Sequence, residues 1–187
     1  MRPGLILALC NQVTNLNVEI PEIDDCCEKE TYAFFGLAAY WAQVLEHSAL
    51  NLAIVLKLPV ADQMSQEIFD DLYGCLTKQT FGQLLKASKN TLQLSESDEE
   101  YLIEALELRN ILTHHYFREH AENLVSEVGR REIKRELQLI ISKFKRTDAM
   151  LENLYVPLWE KYGVTEEFIS EHLEQLRVKT EERDRNA

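Results

Sequence analysis

The sequence predicts an all-α protein, most simply an antiparallel helical bundle of about five to six helices. Three observations carry that expectation. The 187 residues hold only six Gly and four Pro, too few for a β fold built on many tight turns. No segment sustains apolar–polar alternation, and no Asn-Gly or Asp-Gly hairpin turn occurs. Apolar residues instead recur at three- and four-residue steps, as a helix face requires. Hydrophobic residues make up 45% of the chain and charged residues 28%, the balance of a globular domain rather than of a disordered chain. The length suits one domain with extensions.

Residues 1–25 have no clear period. Asn11, Asn15, Asn17, Pro21 and the pair Asp24-Asp25 make an irregular lead-in. From Glu28 to about Leu58 a helix follows through Phe34, Leu37, Ala38, Trp41, Val44, Leu45 and Ser48. Phe35, Ala39, Tyr40 and Ala42 lie off that stripe, so the helix should be central, and Pro59 should end it. A second helix is expected from Asp62 to Leu76, with Met64, Ile68, Leu72 and Leu76 at spacing four. A short third follows Thr80, a candidate N-cap. Ser97-Asp98-Glu99-Glu100 reads as a capping box, opening a helix that should reach Tyr116 or Phe117. A long helix from about Glu122 to Leu154 comes next, interrupted by Pro157 and Gly163. Thr165 can cap a last helix through Phe168, Ile169, Leu173 and Leu176, with a charged, frayed tail. The organisation expected is a lead-in (1–25), a helical bundle (26–157) and a C-terminal helical extension (158–187).

None of Cys10, Cys26, Cys27 and Cys75 forms a Cys-x-x-Cys pair, which fits reduced thiols better than disulfides or zinc. The apolar run Leu5–Leu9 is short for a signal peptide, and Asn51 and Lys57 break the stretch Ser48–Leu58. A cytoplasmic protein without a membrane segment is expected. The net charge of -12 argues against general nucleic-acid binding.

The informative segment is Tyr101–Phe117, YLIEALELRNILTHHYF. On a regular helix Arg109 falls inside the apolar arc of Leu102, Ala105, Leu106 and Leu112. A guanidinium there is costly unless it is paired or faces a polar cleft. Asn110 and His114 are i,i+4 neighbours, and His114 lies about 140° from Arg109 around the helix. The plain reading is structural: Arg109 pairs with a carboxylate such as Glu46, His114 and His115 sit at a helix end favoured by its dipole, and Tyr116 fills the core. A zinc site from His114, His115, Glu119 and His120 lacks the i,i+4 spacing of a helical metal pair, so neither metal nor cofactor is expected.

The spacing Arg109, four residues, His114, one residue, Tyr116 resembles the active-site motif of HEPN-domain ribonucleases, in particular the toxins paired with a minimal nucleotidyltransferase antitoxin. Asn110 matches the polar residue that follows the Arg there. FFGLAAYWAQVLEHSALNLAIVLKL and FGQLLKAS also look like HEPN helices, so the resemblance covers about residues 28–155. It implies a HEPN-like fold and a toxin or defence effector that cleaves RNA without a metal. It also implies a composite site at a homodimer interface. His114 would be general base or acid, with His115 a second candidate. Arg109 would bind the scissile phosphate, and Asn110 would orient His114 or hold the phosphate. Tyr116 would be the residue that the antitoxin nucleotidylates. DNA, lacking the 2′-OH, would not be cut. Residues 130–146 add seven basic residues against two acidic, and Arg130, Arg131, Lys134 and Arg135 are candidate RNA contacts. The alternative is a non-catalytic HEPN-like module that binds a protein or nucleotide partner.

Overall fold

The computed structural model describes residues 19–186 except 25, 26, 61, 62, 90, 91 and 93, and the Lys89 side chain. Most of the lead-in, with Cys10 and Cys26, therefore lies outside the described residues. Eight helices and no strand occur among the described residues: α1 (Glu28–Val55), α2 (Gln66–Leu76), α3 (Phe81–Lys89), α4 (Glu96–His114), α5 (Tyr116–Glu119), α6 (Ala121–Leu124), α7 (Glu127–Glu160) and α8 (Glu166–Arg185). The chain is an all-α bundle.

Local chemistry sets the helix starts. Cys27 caps α1 through its Sγ, which accepts from Glu30 N at 3.4 Å. The second helix begins later than expected, because Ser65 supplies the cap and accepts from Ile68 N at 3.2 Å. Thr80 and Gln83 form a reciprocal capping box ahead of α3: Gln83 N donates to Thr80 Oγ1 and Thr80 N to Gln83 Oε1. At α4 the cap is Ser95, not Ser97, and it accepts from Asp98 N at 3.2 Å. Ser126 and Thr165 cap α7 and α8 in the same way.

Helices α1, α4 and α7 run up, down and up. Contacts Glu30–Lys134, Trp41–Lys145 and Ser48–Asp148 advance together, so α1 and α7 are parallel. Glu46–Arg109 and Phe35–Tyr116 run in opposite senses, so the chain reverses between α1 and the α4–α5 segment. The α1–α7 seam is the core: Phe34, Leu45, Leu52, Ile54, Ile133, Leu137, Ile141, Phe144 and Leu151 are all at most 2% exposed. Removing such side chains from water is the main stabilising term.

Pro157 does not interrupt α7, which continues to Glu160. Trp159, Val164 and Ile169 are buried in the same core, so the boundary expected after residue 157 falls inside α7. The tail is helical through Arg185. Gly163 makes the turn between α7 and α8 at φ 77°, a conformation that glycine adopts without a Cβ clash. Gly129 is needed for a different reason, since a Cβ there would overlap the backbone of Asn123. None of these helices is long and apolar enough to cross a membrane.

Candidate functional site

The motif straddles a helix break. Leu102, Ala105 and Leu112 anchor α4 in the core. Thr113 Oγ1 donates to Arg109 O at 2.8 Å, a local bond that competes with helix propagation. The last helical bond runs from His115 N to Ile111 O at 2.9 Å. His115 then leaves the α region at φ -132° and ψ -18°. A helix reaching Tyr116 or Phe117 was expected, but α4 stops at His114, and Tyr116 opens the separate helix α5.

Burial drives that break. Tyr116 is 1% exposed, with its ring 4.4 Å from that of His120 and 5.8 Å from that of Phe35. Its hydroxyl donates to Ile133 O at 3.4 Å. Phe117 packs at 4.5 Å on Phe35 and 5.7 Å on Tyr32, and His120 Nε2 pairs with Glu136 at 3.2 Å. Two aromatic rings thus drop onto α1 and α7, and a straight helix would not deliver both there. Burial, then the Glu136 charge, pushes the Tyr116 phenol well above its usual range. The hydroxyl that the resemblance offers for nucleotidylation is therefore a neutral group inside the bundle.

Arg109 sits where the helical arc placed it, and it is paired. Its Nε donates to Glu46 of α1, and a terminal N–H donates to Asn110 Oδ1 at 3.1 Å. The partner is the carboxylate that the plain reading named. The Arg109 side chain is 24% exposed, so part of its guanidinium fork still reaches solvent. Asn110 and His114 are exposed on the neighbouring face. His114 and His115 are both exposed, with ring centroids 6.1 Å apart. Among the described residues no hydrogen bond occupies either imidazole. Arg109 and Asn110 are thus in contact near the end of α4, and His114 closes the same helix with no hydrogen bond to either among the described residues.

The basic run of α7 is divided. Lys134 is fully buried and paired with Glu30, so its place among the candidate RNA contacts is corrected: it is a core ion pair. Arg130 donates to Leu124 O at 2.8 Å and holds the α6–α7 turn. Lys143 pairs with Glu104 and lies 3.5 Å over the Tyr101 ring. Lys145 lies 5.2 Å over Trp41. Arg131 and Arg135 remain exposed.

One feature escaped the sequence reading. Gln43, Glu46 and His47 of α1 line a cleft of about 290 Å³ with Tyr73, Thr77 and Gln79, floored by Leu50, Leu76, Phe81 and Leu84. Its signal was the i, i+3, i+4 polar set within the mostly apolar middle of α1. Glu46 joins this cleft to Arg109. No His, Cys, Asp and Glu cluster among the described residues is arranged to hold a metal ion.

The chain matches no family model, no curated protein and no solved structure.

Proposed function

We propose that the chain is a metal-independent endoribonuclease of HEPN type, acting as a toxin or defence effector. The observation that carries this reading is the part-buried Arg109 with the exposed Asn110 and His114 at the end of a capped helix, Asn110 bonded to Arg109. His114 takes the proton of a ribose 2′-OH, whose oxygen attacks the adjacent phosphorus. The 5′-oxygen of the next nucleotide leaves and is protonated, so a 2′,3′-cyclic phosphate and a 5′-OH result. An imidazole is suited to both proton transfers near neutral pH. Arg109 has five N–H donors. Glu46 and Asn110 occupy two of them, and those left over serve the phosphate as charge builds on it. In the dimer the second proton transfer falls to the other copy's motif, which resolves the angular separation of Arg109 and His114.

The test uses the full-length chain with single-stranded RNA in EDTA. Cleavage should persist with chelator, disappear in His114→Ala and Arg109→Ala, and spare DNA. Cleavage that needs a metal, or that survives both substitutions, sinks the proposal. His115→Ala decides which imidazole works.

The second reading is a non-catalytic interaction module, favoured by the engagement of Arg109 with Glu46 and of Lys134 with Glu30. It predicts a stable assembly, no RNA cleavage under any condition, and growth unaffected by overexpression.

A further inference from the structure

The outer face of α7 carries an unusual stripe. Val128, Glu132, Arg135 and Leu139 follow at steps of four, three and four, so they share one face of the helix. All four are exposed. Val128 is 65% exposed and Leu139 72%, and Val125, just ahead of the stripe, is 83%. These are the three most exposed large apolar residues among those described. Glu132 and Arg135 lie on the same helix at i,i+3, yet neither has an ion-pair or hydrogen-bond partner among the described residues. Elsewhere on α7 the cations Lys134 and Lys143 are each matched to a carboxylate. The unmatched pair is thus confined to the face that also exposes apolar side chains.

The spacing reads the same in both directions. When the stripe is laid against itself antiparallel about the midpoint between Ile133 and Lys134, Val128 meets Leu139 and Glu132 meets Arg135. The same two contacts recur across the axis. A parallel arrangement puts Glu132 on Glu132 and Arg135 on Arg135, which is repulsive. A slide of one turn sets an apolar residue against a charge. Charge and shape therefore select one partner, one direction and one register.

We propose that a second copy of this chain docks on this face, forming a two-fold dimer with α7 antiparallel to α7 and seamed by Val128–Leu139 and Glu132–Arg135 pairs. The contact is isologous, so taken alone it closes at two copies, and alongside the motif-centred dimer of the ribonuclease reading it would join such dimers into larger assemblies. Its apolar ends exclude water from the charge pairs between them, which strengthens those pairs relative to exposed ones. The stripe is about 17 Å long at 1.5 Å per residue. It is shorter than a standard stable interface demands, so the dimer is a weak, concentration-dependent one. The proposal does not rest on the ribonuclease reading, because none of its four residues belongs to the Arg109–His114 set.

Sedimentation equilibrium of the full chain over a range of concentrations tests this. The wild type should show a monomer–dimer equilibrium that weakens as salt rises. Arg135→Glu and Glu132→Arg should each weaken dimerisation about tenfold or more, since each replaces two attractions by two repulsions. The double exchange Glu132→Arg/Arg135→Glu should restore it. These positions are exposed, so circular dichroism should show all variants folded. A chain that stays monomeric at every concentration, a dimer indifferent to both reversals, or a double exchange that fails to restore association overturns the proposal. A dimer indifferent to both reversals but lost with changes around Asn110 and His114 overturns it while leaving the ribonuclease reading intact.

Discussion

Arg109 and Lys134 belong to different helices, and both find carboxylates on α1, but in different settings. The Arg109 and Glu46 side chains are 24% and 32% exposed, and those of Lys134 and Glu30 0% and 17%. A pair that solvent still reaches on both sides is screened and contributes about 1 kcal/mol or less. Removing one partner of a buried pair strands a charge and costs roughly 3 kcal/mol or more. Urea denaturation should therefore show Glu46→Gln within about 1 kcal/mol of wild type. Glu30→Gln should fall at least about 3 kcal/mol below it, and Lys134→Met combined with Glu30→Gln should recover most of that loss. Equal losses for the two single substitutions would contradict the burial argument. Tyr116 gives a second residue-scale test. Tyr116→Phe keeps the ring and gives up one long hydrogen bond, at about 1 kcal/mol or less. Tyr116→Ala opens a cavity between α1, α5 and α7 and should cost roughly 3–5 kcal/mol, read from the same denaturation curves.

The α1–α7 seam carries the clearest pH signal. Asp148 is 2% exposed and receives the Ser48 hydroxyl; Tyr155 lies at 3.4 Å from the same hydroxyl oxygen. Burial raises the Asp148 carboxyl, partly offset by the Ser48 bond. One turn on, burial and then the Asp148 charge push Glu152 up to about 7 from its usual 4.5. A carboxyl raised by folding holds its proton more tightly in the folded state. Its contribution to stability is complete below about 4.5 and is lost as pH rises through about 7. Urea midpoints should therefore fall between pH 5 and pH 8, by an amount equivalent to roughly 2–3 kcal/mol at most, and Glu152→Gln should flatten the profile. A wild-type midpoint that rises over this interval would refute the assignment. The same elements show what the sequence made legible. Helices announced by apolar period and by a cap with a free hydroxyl, such as those after Thr80 and Thr165, were readable because both signals are local. The start of α4 was misplaced by two residues because Ser95 and Ser97 both precede acids, and the local pattern does not choose between them. The break at His115 was illegible, since its cause is the burial of Tyr116 and Phe117 against α1 and α7. The run through Pro157 was equally hidden: the packing of Trp159 at 1% exposure holds the helix together past it. At the candidate site the pairing of Arg109 with Glu46 was legible, because the helical arc put a guanidinium on an apolar face where it needs a carboxylate. The engagement of Lys134 by Glu30, 104 residues away, was not.

At the scale of the whole molecule, the net charge of -12 and the fate of the basic run lead to one more expectation. Seven cations crowd residues 130–146, and read as a string they suggest an electrostatic track for a phosphate backbone. In the folded chain Lys134 and Lys143 are neutralised by carboxylates, Lys145 lies over Trp41, Arg130 is bound to Leu124 O and Arg146 donates to the Tyr101 hydroxyl. The run mostly fastens α7 to α1, α4 and α6. Of the seven, Arg131, Arg135 and Arg146 are exposed, and Arg146 is already engaged by Tyr101. With Arg109, the first two are then the cations of the motif and the basic run offered to RNA, and the α7 dimer would withdraw Arg135. Each phosphate neutralised on a single strand contributes a slope of about -0.7 to log affinity against log salt. RNA binding should accordingly be weak with a shallow slope, between about -1 and -2 for two or three contacts, measurable by fluorescence anisotropy on a labelled single strand. Arg109→Ala should remove close to one contact's share of that slope. Arg135→Glu should leave the slope nearly unchanged while altering the sedimentation profile. A steep slope that falls sharply with Arg135→Glu would instead make the outer face of α7 a phosphate track, and would argue against both an RNA site centred on Arg109 and the two-fold contact.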